Sequence, residues 1–375
     1  NVFYRMSDND FQKKVNNLYN QKCSKYKNLQ EKNVLPAVDR IIVIGDLHGD
    51  FEKTIQCLKL ANVLKEDQKY PEDSKKRYKW IGGETVIVQV GDQIDRCRNQ
   101  PCHEPNSTNP DENSDVRILK FFTDLHFKAL KKGGAVYSLV GNHELMNVAG
   151  RMDYVSYMGI KEFEKEDSYG DKIYQNKIPS GLTDIDAREW TFKPGNPLAE
   201  FLACTRKLVL KIGDYLFVHA GILPEVAQKY PGDEGIEQMN RILSAFLFNS
   251  LDQEEIAKNQ LLLGPEIVGF DNEDNIDRST YDISPLWNRK FGFISRSDES
   301  EKTRTCKSIF KPIKKIYSVN KMFIGHTPQT QTINSSCEDG LWFTDVAMSK
   351  AFNSHGEKPA QVLLLEKDKE PVVLS

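Results

Sequence analysis

Five apolar runs of this chain each end at a small residue and a side chain able to ligate a metal. Arg40 to Ile44 leads into GDLHG, Thr85 to Val90 into GDQIDR, and Ala135 to Val140 into GNHE. Tyr215 to Val218 leads into HAG, and Met322 to Ile324 into GHT. A single Asp-x-His after a strand is ordinary turn chemistry. Five such endings in one chain are not. Helix-like segments at Phe51 to Ala61 and Val116 to Lys131 separate the early runs, and further β-rich runs occupy Leu208 to Ile212, Leu341 to Thr344 and Gln361 to Leu365. Strands alternating with helices predict an α/β fold. In such folds functional side chains collect beyond the carboxyl ends of strands, where a rigid strand fixes the loop that carries them.

The rest of the sequence narrows the class. Residues 1–34 are polar, with Phe11, Val15 and Leu18 at helical spacing, and predict an N-terminal helical extension. Residues 35–375 are expected to form the catalytic domain, interrupted by polar insertions near 98–115 and 271–280 that carry too little apolar surface to order themselves. The 51 basic residues nearly balance the 54 acidic ones, which argues against a general nucleic-acid or membrane-surface binder. The longest apolar stretch, around Leu208 to Leu223, is broken by Lys211, Asp214 and His219, so no segment is long enough to span a bilayer.

Seven cysteines in 375 residues do not read as a disulfide framework, and they favour a reducing, cytoplasmic setting. No cysteine is followed by an arginine after five intervening residues, so a cysteine-nucleophile phosphatase loop is absent. Cys97 and Cys102 read as loop residues, with a labile disulfide as the alternative.

The strand-end residues make a coherent donor set. Two aspartates, one asparagine and three imidazoles are intermediate oxygen and nitrogen ligands, suited to Mn, Fe or Zn. Two metal ions about 3.5 to 4 Å apart can share a carboxylate and act on the oxygens of a phosphoryl group.

GDLHG, GDQIDR, GNHE, VHAG and GHT, in this order, resemble the signature of the phosphoprotein phosphatase superfamily of binuclear metallophosphoesterases. More narrowly, LVGNHELMNVAGRMDYV and FKPGNPLAEFLA resemble its Shewanella-like phosphatase branch. The resemblance covers roughly Arg40 to Ser349. It implies two packed β-sheets flanked by helices and two divalent or trivalent metal ions. It gives Asp46 and His48 to the first ion, Asp92 to both, and Asn142, His219 and His326 to the second. His143 matches the general acid with Asp95 orienting it, and Arg96 and Arg289 match two arginines that grip phosphate. The implied reaction is attack by a metal-bridging hydroxide on a phosphoprotein. Phosphotyrosine is somewhat favoured over phosphoserine and phosphothreonine, and a dinucleoside polyphosphate hydrolase or other phosphodiesterase using the same binuclear site is the alternative. Two departures stand out: Val140 replaces the arginine that precedes GNHE in the best-known serine/threonine enzymes, and their C-terminal SAPNYC loop is missing.

Overall fold

The apolar runs are strands, and their burial explains why they read as continuous rather than alternating. In the computed structural model, which describes residues 8–26, 29, 32–72, 74–98, 100–163, 177–268 and 276–375, the strands in chain order are as follows. The first half of the chain holds β1 (Val34–Leu35), β2 (Arg40–Ile44), β3 (Leu64–Glu66), β4 (Tyr78–Trp80), β5 (Val86–Gln89) and β6 (Ala135–Leu139). The second holds β7 (Arg206–Lys207), β8 (Val209–Ile212), β9 (Tyr215–Val218), β10 (Lys321–Ile324), β11 (Asn334–Ser336), β12 (Leu341–Phe343), β13 (Val362–Glu366) and β14 (Val372–Leu374).

One six-stranded sheet runs β14-β13-β2-β5-β6-β7, and the other β1-β8-β9-β10-β12-β11. In the first, β2, β5, β6 and β7 are parallel, and β13 closes against β2 in the opposite sense. Every residue of β5 is buried, as expected of a parallel strand covered on both faces. Helices α1 (Asp8–Lys22), α2 (Phe51–Leu60), α3 (Asp115–Leu130) and α4 (Asn142–Val148) belong to the layers around the sheets. Among the described residues no helix is long and apolar enough to cross a membrane.

Register places the site. Ile44 pairs with Gln89, and Gln89 with Ser138, so β2, β5 and β6 end level with one another. In the second sheet Phe217 pairs with Phe323, which brings His219 and His326 out at one level too. Phe217 and Phe323, stacked 4.9 Å apart, join a core that also takes in Ile41 to Ile44 of the first sheet. Their neighbours Leu216, Val218, Met322 and Ile324 face a second, helix-covered core. The strand ends of the two sheets then meet: a Cβ on Gly45 would lie 2.2 Å from the Thr344 carbonyl oxygen.

Two expectations change. Six of the seven cysteines are paired, as Cys23–Cys204, Cys97–Cys102 and Cys306–Cys337, leaving Cys57 as the free, buried thiol. Two of these pairs join residues 181 and 31 positions apart, a pairing that sequence spacing does not reveal, and they remove the cysteine argument for a reducing compartment. The insertion at 98–115 is not wholly a surface feature. Asp115 begins α3 and is buried, and the Pro110 carbonyl and Glu112 turn inward onto Arg96. Residues 271–275 of the second insertion lie outside the described residues, and Arg278–Asp282 forms a short 3-10 helix.

Candidate active site

Asp92 stands at the centre of the converging strand ends. Its Oδ2 lies 3.3 Å from His219 Nε2, 3.9 Å from His48 Nε2 and 4.0 Å from His143 Nε2. Its Oδ1 accepts from the His143 backbone N–H at 3.0 Å. Asn142 Oδ1 lies 3.1 Å from His219 Nε2, and Asp46 Oδ2 lies 4.0 Å from His48 Nε2 while accepting from the His326 N–H at 3.0 Å. Two groups of three donors result, His48–Asp92–His143 and Asp92–His219–His326, with ligand atoms within 4.8 Å of one another and Asp92 common to both.

The outer ring nitrogens are held by backbone. His219 Nδ1 lies 2.8 Å from the Val90 carbonyl, His326 Nε2 2.8 Å from that of Trp287, and His48 Nδ1 3.2 Å from that of Ile94. Such contacts fix ring orientation and leave the other nitrogen free to ligate. The motif glycines make room for the acids: a Cβ on Gly325 would lie 2.1 Å from Asp46 Oδ1, and one on Gly141 2.0 Å from Asp92 Oδ1. His48, Asp92, Asp95 and His326 all adopt positive φ, between 43° and 72°. Left-handed backbone at four non-glycine residues costs energy that the surrounding fold must offset, and it aims these side chains inward.

The electrostatics of this cluster suit cations. Burial, then the nearby charges of Asp345 and Asp92, pushes the Asp46 carboxyl well above its usual range. Burial also pushes Asp345 up, to about 6. For Asp92 the rise from burial is outweighed by the His219, His143 and His48 imidazoles, which hold it well below the usual carboxylate range. Burial drives His48 and His326 well below the ordinary imidazole value. His219 differs: burial opposes its charge, but the adjoining Asp92 carboxylate raises it above the ordinary imidazole value. A metal ion would displace protons from such crowded carboxyls and imidazoles, since both ligate in the deprotonated form. The nitrogen and oxygen donors fit Mn, Fe or Zn.

A cavity of ≈ 410 Å³ opens over these donors, lined by His143, Asn142 and Asp92 and walled by Tyr154, Tyr281, Trp287 and Phe352. His143 Nδ1 lies 2.8 Å from Asp95 Oδ2. Asp95 Oδ1 accepts from Asn147 Nδ2 at 2.9 Å.

Residues 39–330 match the family model described as calcineurin-like phosphoesterase. The chain belongs to that family. It is 34% identical over 264 residues to an uncharacterized protein of Acanthamoeba polyphaga mimivirus, a match spanning 66% of this chain and 95% of the viral protein. It is 29% identical to Shewanella-like protein phosphatase 2 of Arabidopsis thaliana, over 83% of this chain and 72% of the plant protein. Its fold resembles the cold-active protein-tyrosine phosphatase of a psychrophile Shewanella species, with a TM-score of 0.61 at 18% identity, covering 94% of this chain and 85% of that one. This phosphoesterase is a hydrolase of the phosphatase class, from a metal-dependent family.

The structure of the phosphoesterase brings together Asp46, His48, Asp92, Asn142, His219, His326, His143 and Asp95. Arg289 lines the cavity and donates to the His326 carbonyl at 3.0 Å. Arg96, expected to grip phosphate, is not among the residues that line this cavity. Its fully buried guanidinium lies 3.2 Å from Asp50 Oδ2 and 3.6 Å from Glu112 Oε1, and donates to the Pro110 carbonyl. Those acids draw it away from the donors, and Arg98 lines the cavity instead.

Two further residues escaped the sequence. Asp345 follows β12 just as Asp46 follows β2, so the same apolar-run-then-acid pattern in FTDVAMS would have found it. Arg188 donates to Asn147 Oδ1 at 2.8 Å and Asp115 Oδ2 at 2.9 Å, and lies 3.5 Å from Asp95 Oδ1. It sits inside a helix, Asp184–Phe192, with no strand end to announce it.

Proposed function

We propose that the protein hydrolyses phosphomonoesters on proteins, with two metal ions held by the strand-end donors and phosphotyrosine preferred. The observation that carries the reading is Asp92, shared by two donor groups at the floor of a cavity that also presents His143 and an arginine. Asp46, His48 and Asp92 would hold one ion, and Asp92, Asn142, His219 and His326 the other. When bound, such ions polarise phosphoryl oxygens and activate water for in-line displacement.

The chain's own residues do the remaining work. Arg289 offers paired donors to phosphate oxygens. Asp95 fixes His143 by its Nδ1, which leaves Nε2 to give a proton to the departing oxygen. The aromatic walls favour an aryl ester. Tyr154 packs edge-on to His143 at 5.0 Å and Tyr281 edge-on to Trp287 at 5.0 Å, so a phenyl ring entering above the donors meets rings as well as the charged Arg98, Arg151, Glu266 and Arg289.

The test is a parallel assay, with added manganese, of a phosphotyrosine peptide, a phosphothreonine peptide and a dinucleoside polyphosphate. The highest kcat/KM is expected on the phosphotyrosine peptide. Preference for phosphothreonine would remove the aromatic-wall argument. Turnover of the dinucleotide alone would overturn the protein-phosphatase reading.

A further inference from the structure

Arg98 occupies the cavity that Arg96 does not reach. Its guanidinium lies 4.7 Å from the centre of the Phe352 ring and 5.4 Å from that of Tyr154. Nη1 donates to the backbone carbonyls of Asp95 at 3.0 Å and Cys97 at 2.6 Å. The backbone that presents it is held on both sides: Cys97 is bonded to Cys102, and its N–H donates to the Tyr154 carbonyl at 3.0 Å. A planar guanidinium against aromatic faces, with one end fixed by carbonyls, is a preorganised fork rather than a mobile surface charge.

The other end of that fork has a conditional partner. Nη2 lies 2.7 Å from His48 Nδ1, and the same nitrogen lies 3.2 Å from the Ile94 carbonyl. One ring nitrogen cannot serve both. With a lone pair it accepts from Arg98, and with a proton it donates to Ile94. A neutral His48 that ligates through Nε2, the nitrogen facing Asp46 and Asp92, carries its proton on Nδ1. In that state Arg98 loses its acceptor. Nη1 keeps its two carbonyls, but an Nη2 donor left unpaired in a half-buried place is costly, and a phosphate oxygen in the adjoining cavity restores the bond.

We infer that Arg98 is a phosphate-contacting residue of this active site, acting with Arg289 and made available when His48 turns its inner nitrogen to ligation. The inference rests on the phosphatase reading for its substrate, though phosphate binding can be measured without turnover.

The experiment compares Arg98→Ala, Arg98→Lys and Arg96→Lys with the wild type, all loaded with manganese. Calorimetry gives the Kd of orthophosphate, steady-state kinetics give KM and kcat for para-nitrophenyl phosphate, and elemental analysis gives metal content. A hydrogen bond to a charged group is commonly worth a factor of about 10 to 100. Arg98→Ala is therefore expected to weaken phosphate and raise KM by about tenfold or more, with manganese content unchanged. Arg98→Lys, which keeps the charge but not the stacked fork, should fall between, and it carries the test if the alanine variant does not fold. Unchanged phosphate affinity in both Arg98 variants, or a larger loss in Arg96→Lys, overturns the inference. A wild-type protein that binds phosphate yet hydrolyses no monoester would sink the phosphatase reading instead, and the calorimetric comparison would still decide the role of Arg98.

Discussion

His143 presents Nδ1 to Asp95 Oδ2 at 2.8 Å, inside a buried pocket where Asp95 also accepts from Asn147. The contact fixes one ring nitrogen and leaves Nε2 at the cavity. A proton donor matters most when the leaving oxygen is basic. His143→Ala should therefore cut turnover of a phosphothreonine peptide by about 10² to 10⁴, and that of para-nitrophenyl phosphate far less. Asp95→Asn should show the same pattern more weakly, since it loosens the imidazole without removing it. Equal losses on the two esters, at unchanged metal content, would refute the acid role.

Arg188 supports that dyad from behind. Its guanidinium is fully buried, near the rings of Phe163 at 5.5 Å and Phe192 at 5.2 Å, and bridges Asp115, Asn147 and the Gly159 carbonyl. Removing one partner of a buried ionic cluster strands the others, at a cost of about 3 to 5 kcal/mol. Arg188→Ala is expected to lower the urea midpoint by a corresponding amount. Arg188→Lys keeps the charge but not the planar fork. It should fold, and it should shift the phosphothreonine to para-nitrophenyl phosphate ratio in the direction of Asp95→Asn. A ratio identical to wild type would confine Arg188 to stability.

The layout of the site was legible because its donors obey one local rule, an apolar strand followed within four residues by a ligating side chain and accompanied by a glycine. Asp46, His48, Asp92, Asn142, His219 and His326 all follow it, and level strand register gathers them. What escaped depends on distance or direction. Arg96 lies inside a motif, yet Asp50 and Glu112, far apart in sequence, decide where its guanidinium points. Arg188 reaches Asp95 across 93 positions from a helix face and carries no local signature. The disulfide partners Cys23 and Cys204 come together only once α1 is docked.

Asp92→Asn should remove nearly all turnover and most bound metal. The carboxylate is common to both donor groups, so neutralising it removes the anion each would share. Elemental analysis of the purified variant, beside a thermal unfolding curve to show that it folds, checks this. Wild-type metal content with normal turnover would mean the donors are wrongly assigned.

The Cys23–Cys204 disulfide ties α1 to the helix Pro197–Thr205. Closing so long a loop is worth about 2 to 5 kcal/mol through the unfolded chain. Replacing both cysteines with serine should lower the melting temperature while leaving kcat near wild type, because neither residue approaches the cavity. An unchanged melting temperature would show that the packing of Val15 and its neighbours already holds α1 in place.

His126 gives a prediction in pH. It is fully buried on α3, its Nδ1 lies 2.8 Å from the Val136 carbonyl, and Nε2 has no hydrogen-bond partner. Burial pushes the imidazole down to about 4 from an ordinary value of 6.5. Between those values the unfolded chain takes up a proton that the folded one refuses, so this group's contribution is lost as pH falls from 6.5 towards about 4 and changes little below. The shift corresponds to about 3 kcal/mol at most. Carboxylates titrate over the same range, and a comparison with His126→Gln cancels them. The difference in unfolding free energy between wild type and variant, measured in urea at several values across this window, should shrink steadily as the solution is acidified. Parallel curves would mean that the imidazole is protonated within the fold, with Nε2 finding an acceptor that the static structure does not show.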